Sequence, residues 1–313
     1  MSKNYYDAVI VGCGIAGCSC AYTLAAAGLN CLVLEKEKTV GDKVCGDGLS
    51  VRGVKDLSLI SMDSDILLNN GGKIIHTHFM TRDDEIADNY DYEDCFAIGI
   101  SRRVLNRLVF ENMQAKGPEI IFDCRVTKID KAYPGYCIND IYYAKAVVIA
   151  AGAVSGFGLS HRYGKCMPIG MSSRIRCDLP YEDDCFYINR DSVYCKGYSW
   201  LFPVGDNLWN IGVWSPDSEV KKRIIELYFD FEKRVLSGVE YEYDRNPGAF
   251  PIGTICIDEV GADLTDYKQD SSEQFYYVGD NALLASSYSG EGISFAIESG
   301  VEAAKSIVAN IGD

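Results

Sequence analysis

Ala8-Val9-Ile10-Val11-Gly12-Cys13-Gly14-Ile15-Ala16-Gly17 is the stretch whose reading decides the fold. An apolar run enters three glycines spaced GxGxxG, and a small-residue helix candidate, Cys18 to Ala27, follows. A second apolar run, Cys31-Leu32-Val33-Leu34, ends on Glu35. The order is strand, tight turn, helix, strand, acid. In such a unit the first glycine makes the turn and the second lets the backbone approach a pyrophosphate. The third lets helix and strand pack closely. The helix N-terminus offers unpaired N–H groups and partial positive charge to the phosphates. Glu35, 18 residues beyond Gly17, is placed to accept from ribose hydroxyls. Residues 8–34 carry no charge, but Gly12, Gly14, Gly17, Gly28 and Asn30 argue against a single membrane-spanning helix.

The 313 residues suit one large or two ordinary domains, and 48% apolar content supplies a core. The net charge of −15, from 45 acids and 30 bases, speaks against nucleic acid and, on average, against an anionic bilayer. Peripheral membrane contact therefore has no support in the charge balance. The chain enters its first strand without a signal-peptide pattern. Its 13 cysteines are scattered with no CxxC pair, so free thiols in a reducing cytoplasm are expected. His76 and His78 share a strand face, but no nearby Cys or third His completes a metal set, and no metal is expected.

Downstream of Glu35, Cys45-Gly46-Asp47-Gly48 marks a turn made for close approach. Helix and loop are predicted over 50–70, a strand over 73–80 and a solvated acidic loop over 83–94. Ser101 is a candidate N-cap for a helix over 104–115, whose apolar positions recur at helical spacing. Short strands are expected at Ile120–Phe122, Arg125–Ile129 and Ala146–Ala150. Polar loops are assigned to Tyr181–Asp191. An antiparallel hairpin carrying all three tryptophans is predicted over 197–214, one amphipathic helix over Ser218–Leu236, and a loop over Gly248–Gly253.

The C-terminal end repeats the logic of the first turn. Phe275-Tyr276-Tyr277-Val278 delivers Gly279-Asp280, and Gly290-Glu291-Gly292-Ile293 opens a helix running to about Ile311. Two glycine-bearing turns before helices suit a flavin dinucleotide better than NAD. The pyrophosphate takes the first turn and the ribityl chain takes Asp280. The helix after Gly292 aims its positive end at the edge of the ring that gathers charge on reduction. Glu291 either caps that helix or touches the flavin.

Four blocks resemble the geranylgeranyl reductase family of FAD proteins, within the p-hydroxybenzoate hydroxylase-like group. They are Gly12–Gly17 with Glu35, Cys45–Gly48, Tyr198-Ser199-Trp200-Leu201-Phe202-Pro203 as the family's YxWxFP, and Gly279-Asp280 with Gly290–Ile293 and Ser299-Gly300. Arg102-Arg103-Val104-Leu105-Asn106 resembles the family's FAD-facing arginine block. Departures exist: Cys195 and Ser287 stand where the family has Pro, Asn281-Ala282-Leu283 replaces Ala-Ala-Gly, and Ala150-Ala151-Gly152 lacks a middle Asp. The chain also ends one helix after the flavin block, without a region that helps longer members enclose prenyl chains.

The resemblance implies an α/β fold: a Rossmann-like FAD-binding domain of the p-hydroxybenzoate hydroxylase type with an inserted antiparallel β-sheet substrate domain. The discontinuous FAD part would be 1–70, 96–160 and 250–313, and the substrate sheet 71–95 and 161–249. Cofactor contacts are expected from Gly12, Gly14, Ala16, Gly17, Glu35 and Lys36 at the first turn and strand. Further contacts are expected from Cys45, Gly46, Arg102, Val126, Ala151 and Gly152, and from Gly279, Asp280, Gly290, Gly292 and Ile293 at the far end. The implied reaction is saturation of carbon–carbon double bonds in a hydrophobic isoprenoid or polyene-like substrate, by hydride transfer from reduced flavin. Cys45, Tyr198 and Trp200 are the candidate catalytic residues, and Phe202 and Pro251 line the pocket. Tyr198, Trp200 and Phe202 alternate along a strand and so share a face. No second GxGxxG houses a nicotinamide donor, so NAD(P)H would bind transiently or be replaced by reduced ferredoxin or free flavin. The same fold hosts monooxygenases and halogenases of aromatic molecules. Their middle Asp-Gly and WxWxIP elements are missing here. A non-catalytic flavin sensor or electron carrier is the remaining alternative.

Overall fold

The computed structural model describes residues 4–81, 83, 85–158, 161, 167–254 and 273–311. β1 (Asn4–Val11), α1 (Ile15–Ala26) and β2 (Cys31–Leu34) form the opening unit. β1 and β2 pair in parallel, Ala8 opposite Cys31 through Val11 opposite Leu34. Both are buried on both faces over these residues, which is why they read as unbroken apolar runs. α1 is rich in the small residues Ala, Cys, Ser and Gly and is buried almost all round, as a helix sandwiched within a core must be.

After β2 come β3 (Gly48–Leu49), α2 (Val51–Asp56) and α3 (Ser64–Leu68), then β4 (Gly72–Ile74), β5 (His76–Met80), β6 (Ile86–Asp91) and β7 (Ala97–Gly99). α4 (Arg102–Gln114) starts at Ser101, whose hydroxyl accepts from the Val104 N–H at 3.3 Å. β8 (Glu119–Ile121) joins the parallel sheet beside β2. β9 (Ile129–Ala132), β10 (Gly135–Ile138) and β11 (Tyr142–Ile149) form a meander whose last strand runs parallel to β1. Then follow β12 (Ile169–Arg176), β13 (Cys185–Asn189), β14 (Tyr198–Gly205), β15 (Leu208–Trp214), α5 (Ser218–Lys221), α6 (Ile224–Val235), β16 (Glu242–Pro251), β17 (Phe275–Tyr277) and α7 (Ile293–Ile311).

The described strands make three sheets. One runs β8-β2-β1-β11-β10-β9, with β17 also on β11; a second runs β16-β12-β15-β14-β13-β5-β6; a small third runs β3-β7-β4. α1 and α7 lie against each other on the first sheet. A Cβ added to Gly300 of α7 would come 2.3 Å from the Ala16 carbonyl, so the small residues on both helices set their approach. α6 covers one face of the second sheet through Leu227, Tyr228 and Phe231.

Several local expectations are corrected. Residues 86–91 form an edge strand on β5 rather than a loop. All six are exposed, so no apolar alternation marked them, and acidic side chains keep the open edge soluble. Residues 125–128 make no ladder, because the Asn139 side chain accepts from the Thr127 and Lys128 N–H groups instead. Cys185–Asn189 is a buried strand inside the expected polar loop. The helix expected over 218–236 breaks at Lys222–Arg223 while keeping one apolar face. The expected loop at 248–251 is the end of β16. The expected domain ranges also run over residues 159–160, 162–166 and 255–272, which lie outside the described residues.

Candidate active site

At the first turn Gly12 has φ +105°, where side chains are rarely tolerated, and an added Cβ would lie 2.6 Å from the Ala150 carbonyl. A Cβ on Gly17 would fall 2.0 Å from the Gly12 carbonyl, which fixes the close seating of α1 on β1. At Gly14 an added Cβ meets nothing within 4 Å, and no side chain caps the helix it begins. The turn therefore presents open space and uncapped helix N–H groups at the place a pyrophosphate needs. One Glu35 oxygen accepts from the Cys13 N–H at 2.7 Å, and the other from the Glu37 N–H at 3.0 Å. The acid thus braces the turn as well as standing at the end of β2. These features fit a dinucleotide.

A cavity of about 400 Å³ runs from Gly14 and Ala16 past Lys43, Cys45, Gly46 and Arg102 to an aromatic wall, and on to Gly279, Asp280 and Gly290–Ile293. The wall is Tyr198, Trp200 and Phe202 of β14 with Trp214 and Phe186. Neighbouring rings lie 5.9 Å apart for Tyr198 and Trp200, 6.0 Å for Trp200 and Phe202, and 4.2 Å for Phe186 and Phe202. Burial pushes the Tyr198 phenol well above its ordinary range, and its hydroxyl donates to the Ser289 carbonyl at 2.5 Å. Pro251 and Phe250 close the side formed by β16.

The Cys45–Gly48 loop lies directly on this wall. Cβ atoms added at Gly46 and Gly48 would sit 3.3 Å and 3.0 Å from the Trp200 and Phe202 rings. A buried polar set holds the loop there. The Cys45 carbonyl accepts from Ser172 Oγ at 3.0 Å, Asn210 Nδ2 at 2.8 Å and Arg245 Nη2 at 3.1 Å. The Asp47 carboxylate accepts from Asn210 at 2.7 Å, from the Arg102 N–H at 2.7 Å and from Arg174 at 3.1 Å. Asn210 also accepts from the Trp200 indole N–H at 2.8 Å, so loop and wall are fixed by the same side chain. Burial raises the Asp47 carboxyl from its ordinary value, opposed by the charges of Arg245 and Arg174. The Cys45 thiol is half-buried, 4.0 Å from Arg102 Nη1, and the Arg102 Nε donates to Asn106 at 2.8 Å.

At the far end Lys43 pairs with Asp280, joining the loop to the turn after β17. Glu291 accepts from Ser50 and, at 2.5 Å, from Ser294 in the first turn of α7. It thus ties α7 to the start of α2 while lining the cavity.

Of the residues expected from sequence, the cavity gathers Gly14, Ala16, Cys45, Gly46, Arg102, Gly152, Tyr198, Trp200, Phe202, Pro251, Gly279, Asp280, Gly290, Gly292 and Ile293. Gly12 and Gly17 shape the turn from behind. Glu35 and Lys36 lie outside the cavity at the end of β2, Lys36 beside Glu37 at 3.6 Å. Val126 is buried in the core under the meander and Ala151 packs against that core, neither lining the cavity. Sequence reading missed Arg174, Ser172, Asn210 and Arg245. Asn210 is a buried polar residue in the otherwise apolar strand β15, the one signal that marked it. His76, expected as half of an incomplete metal pair, lies 2.6 Å from Asp91. No group of three metal-ligating side chains occurs among the described residues.

A family profile described as FAD dependent oxidoreductase matches residues 7–46. Digeranylgeranylglycerophospholipid reductase 1 of Methanococcoides burtonii is 26% identical, over 96% of this chain and 74% of the relative. A menaquinone reductase of Mycobacterium tuberculosis is 23% identical, over 96% and 76%. Among solved structures, a geranylgeranyl bacteriochlorophyll reductase-like protein from Thermoplasma acidophilum superposes with a TM-score of 0.78 at 20% identity, covering 100% of this chain and 80% of that one. The fold is that of the FAD-dependent p-hydroxybenzoate hydroxylase-type oxidoreductases.

Proposed function

We propose that this chain, an FAD-dependent oxidoreductase similar to the geranylgeranyl reductases, saturates carbon–carbon double bonds of a hydrophobic isoprenoid or polyene-like substrate. The observation that carries the reading is the continuity of one cavity from the Gly14 turn, past Cys45, to the Tyr198–Trp200–Phe202 wall. An apolar chain offers no charged handle, and an aromatic-lined cavity is the binding solution for it. The names of the two reductase relatives support reduction as the direction of chemistry.

When bound, the flavin supplies a hydride. The chain's residues do the remaining work. Gly14, Ala16 and Gly17 would hold the pyrophosphate on uncapped N–H groups, with Glu35 and Lys36 serving the adenosine side. Asp280 would serve the ribityl hydroxyls. Gly290, Gly292 and Ile293, at the N-terminus of α7, would offer its positive end to the charge that the flavin gathers on reduction. Arg102 and Gly152 border the same space, while Val126 and Ala151 support it from the core. Tyr198, Trp200 and Phe202, with Pro251, hold the alkene and exclude water. Cys45 delivers the proton to the second carbon, so the substrate gains one hydride and one proton. Electrons come from NAD(P)H or from a reduced ferredoxin or flavin. The first sheet with α1, α4 and α7 is the discontinuous FAD domain, and the second is the inserted substrate sheet. No helix among the described residues is long and apolar enough to cross a membrane. The free cysteines among the described residues support a reducing cytoplasm as the location.

The test is anaerobic. The reduced holoenzyme is offered prenyl and polyene compounds, and products are weighed. A gain of two hydrogens is expected. A product that gains oxygen only in air, or no product from any alkene, overturns the reading.

A further inference from the structure

The first turn carries two thiols that the alkene chemistry does not use. Cys13 stands between Gly12 and Gly14, and Cys18 closes the first turn of α1, its N–H donating to the Gly14 carbonyl at 2.9 Å. Their sulfurs lie 3.7 Å apart, and the Cys18 thiol also reaches the Cys13 carbonyl at 3.4 Å. Among the described residues this is the one contact of hydrogen-bonding length between two cysteine sulfurs. Both side chains are buried, the residues being 3% and 1% exposed. The hydrogen bond to Cys13, and after it burial, holds the Cys18 thiol well above its ordinary range, so it stays protonated. Buried cysteines are commonly inert for that reason. Cys13 differs in its place: the next residue, Gly14, is exposed and lines the main cavity. A small oxidant entering that cavity comes within one peptide unit of Cys13.

The helix side of the pair has no slack. An added Cβ at Gly17 meets the Gly12 carbonyl at 2.0 Å, so α1 is seated hard against the turn, and one at Gly300 meets the Ala16 carbonyl at 2.3 Å, so α1 is closed against α7 as well. At Gly14 the same atom meets nothing within 4 Å. Drawing the sulfurs from contact into a bond, about 2.0 Å long, therefore moves the Cys13–Gly14 segment rather than the helix. That motion pulls the Cys13 N–H from the Glu35 carboxylate, to which it donates at 2.7 Å, and re-aims the N–H groups at the start of α1. Resting on the dinucleotide reading of this turn, we propose that Cys13 and Cys18 are a reversible oxidation site of the flavin-free chain, and that their disulfide closes the turn to the cofactor's pyrophosphate. The oxidant is hydrogen peroxide. Its O–O bond breaks as the Cys13 sulfur takes one oxygen, leaving a sulfenic acid and one water. The Cys18 sulfur then displaces that oxygen as a second water. The two thiols lose two electrons, the peroxide gains them, and both thiol protons end in the waters. A dithiol reductant restores the pair. With the cofactor in place the space at Gly14 is filled and Cys13 is shielded.

The test treats the whole chain with hydrogen peroxide, with and without bound FAD, then blocks the remaining thiols and maps the peptides by mass. Without FAD a Cys13–Cys18 link is expected, lighter by two hydrogens and reversed by dithiothreitol. With FAD bound it should form more slowly, by roughly tenfold or more. The FAD affinity of the linked apoprotein, followed by flavin fluorescence, should fall by roughly tenfold or more, the scale of one lost charge-assisted contact to a phosphate, and recover on reduction. Cys13→Ser and Cys18→Ala, made separately and checked for fold by circular dichroism, should keep their FAD affinity through the same treatment, although Cys45 is present in both. The proposal is overturned by the absence of the link, by a link that forms as fast in the FAD-bound chain, or by linked protein that binds FAD as the reduced chain does. An affinity loss that persists in both variants also overturns it and moves the effect to another thiol. A reduced native chain that does not bind FAD overturns the dinucleotide reading of the turn instead, while the mass map still decides whether the pair closes.

Discussion

Arg174 on β12 faces Asp47 of the Cys45–Gly48 loop at 3.1 Å, with side-chain exposures of 1% and 0%. The same guanidinium reaches Asp42 at 2.8 Å and Asp244 at 2.7 Å. One residue of the second sheet therefore reaches two carboxylates, Asp42 and Asp47, of the loop that follows β2, beside the Ser172, Asn210 and Arg245 contacts to the same loop. Removing one member of a buried ion pair leaves the other charge stranded, which costs far more than the pair contributes.

Arg174→Met should accordingly destabilise the chain by about 3–5 kcal/mol. Asp47→Asn should cost less, because Arg174 keeps Asp42 and Asp244. Urea unfolding of the two variants and their combination gives the coupling. A loss below about 1 kcal/mol for Arg174→Met, within the range of exposed pairs, would show that the clamp does not hold the loop.

The glycines of the first turn separate folding from cofactor capture. Gly17→Ala drives a methyl into the Gly12 carbonyl and should lower the melting temperature of the flavin-free protein. Gly14→Ala meets no protein atom, so its apo melting temperature should stay near the native value while flavin affinity falls at least tenfold (about 1.4 kcal/mol). Titration of apoprotein with FAD, followed by flavin fluorescence, checks the second effect. Equal thermal losses in the two variants would contradict the assignment of open space at Gly14.

The legibility of this site followed the range of the interactions that build it. The Gly12–Gly17 turn was readable because its chemistry is local: strand, glycines and helix lie within some twenty residues. The wall of Tyr198, Trp200 and Phe202 was readable from the period of a strand. The clamp was not. Arg174, Asn210 and Arg245 meet Cys45 and Asp47 across more than a hundred residues of sequence, and no periodicity encodes that encounter. The exposed edge strand 86–91 escaped for a related reason, since backbone pairing to β5 rather than side-chain burial makes it a strand.

Asp244 gives the clamp a pH signature. Burial tends to raise its carboxyl, but the Arg174 hydrogen bond and charge, with Arg103 and Arg176, hold it below the ordinary value. A carboxyl depressed in the folded state binds fewer protons there, so its contribution is present above the unfolded pKa, near 3.9, and is lost as pH falls through the folded one. Asp47 is shifted upward and acts in the opposite sense, so wild type and single variant must be compared at each pH. Asp244→Asn should melt a few degrees lower at pH 7, on the scale of roughly 2–4 °C per kcal/mol, with the gap closing below about pH 4. A gap that is constant with pH would show that Asp244 acts through shape alone.

Cys45 offers the sharpest separation of chemistry from architecture. Its carbonyl is fixed by Ser172, Asn210 and Arg245, so replacing the thiol leaves the loop anchored. Its sulfur lies in the cavity 4.0 Å from Arg102 Nη1, on the path between the Gly14 turn and the aromatic wall. If the thiol delivers the proton, Cys45→Ala should keep the melting temperature and flavin spectrum while alkene saturation falls by about 10²- to 10⁴-fold, the span of positioned acid catalysis. Cys45→Ser, with a hydroxyl in the same place, should fall between. Single-turnover rates in H₂O and D₂O separate this from a packing role, because loss of the proton donor changes the solvent isotope effect and loss of a contact does not. A Cys45→Ala protein that reduces alkene at the native rate would make the thiol a piece of the wall, and the proton would then have to reach the substrate from another group lining the cavity.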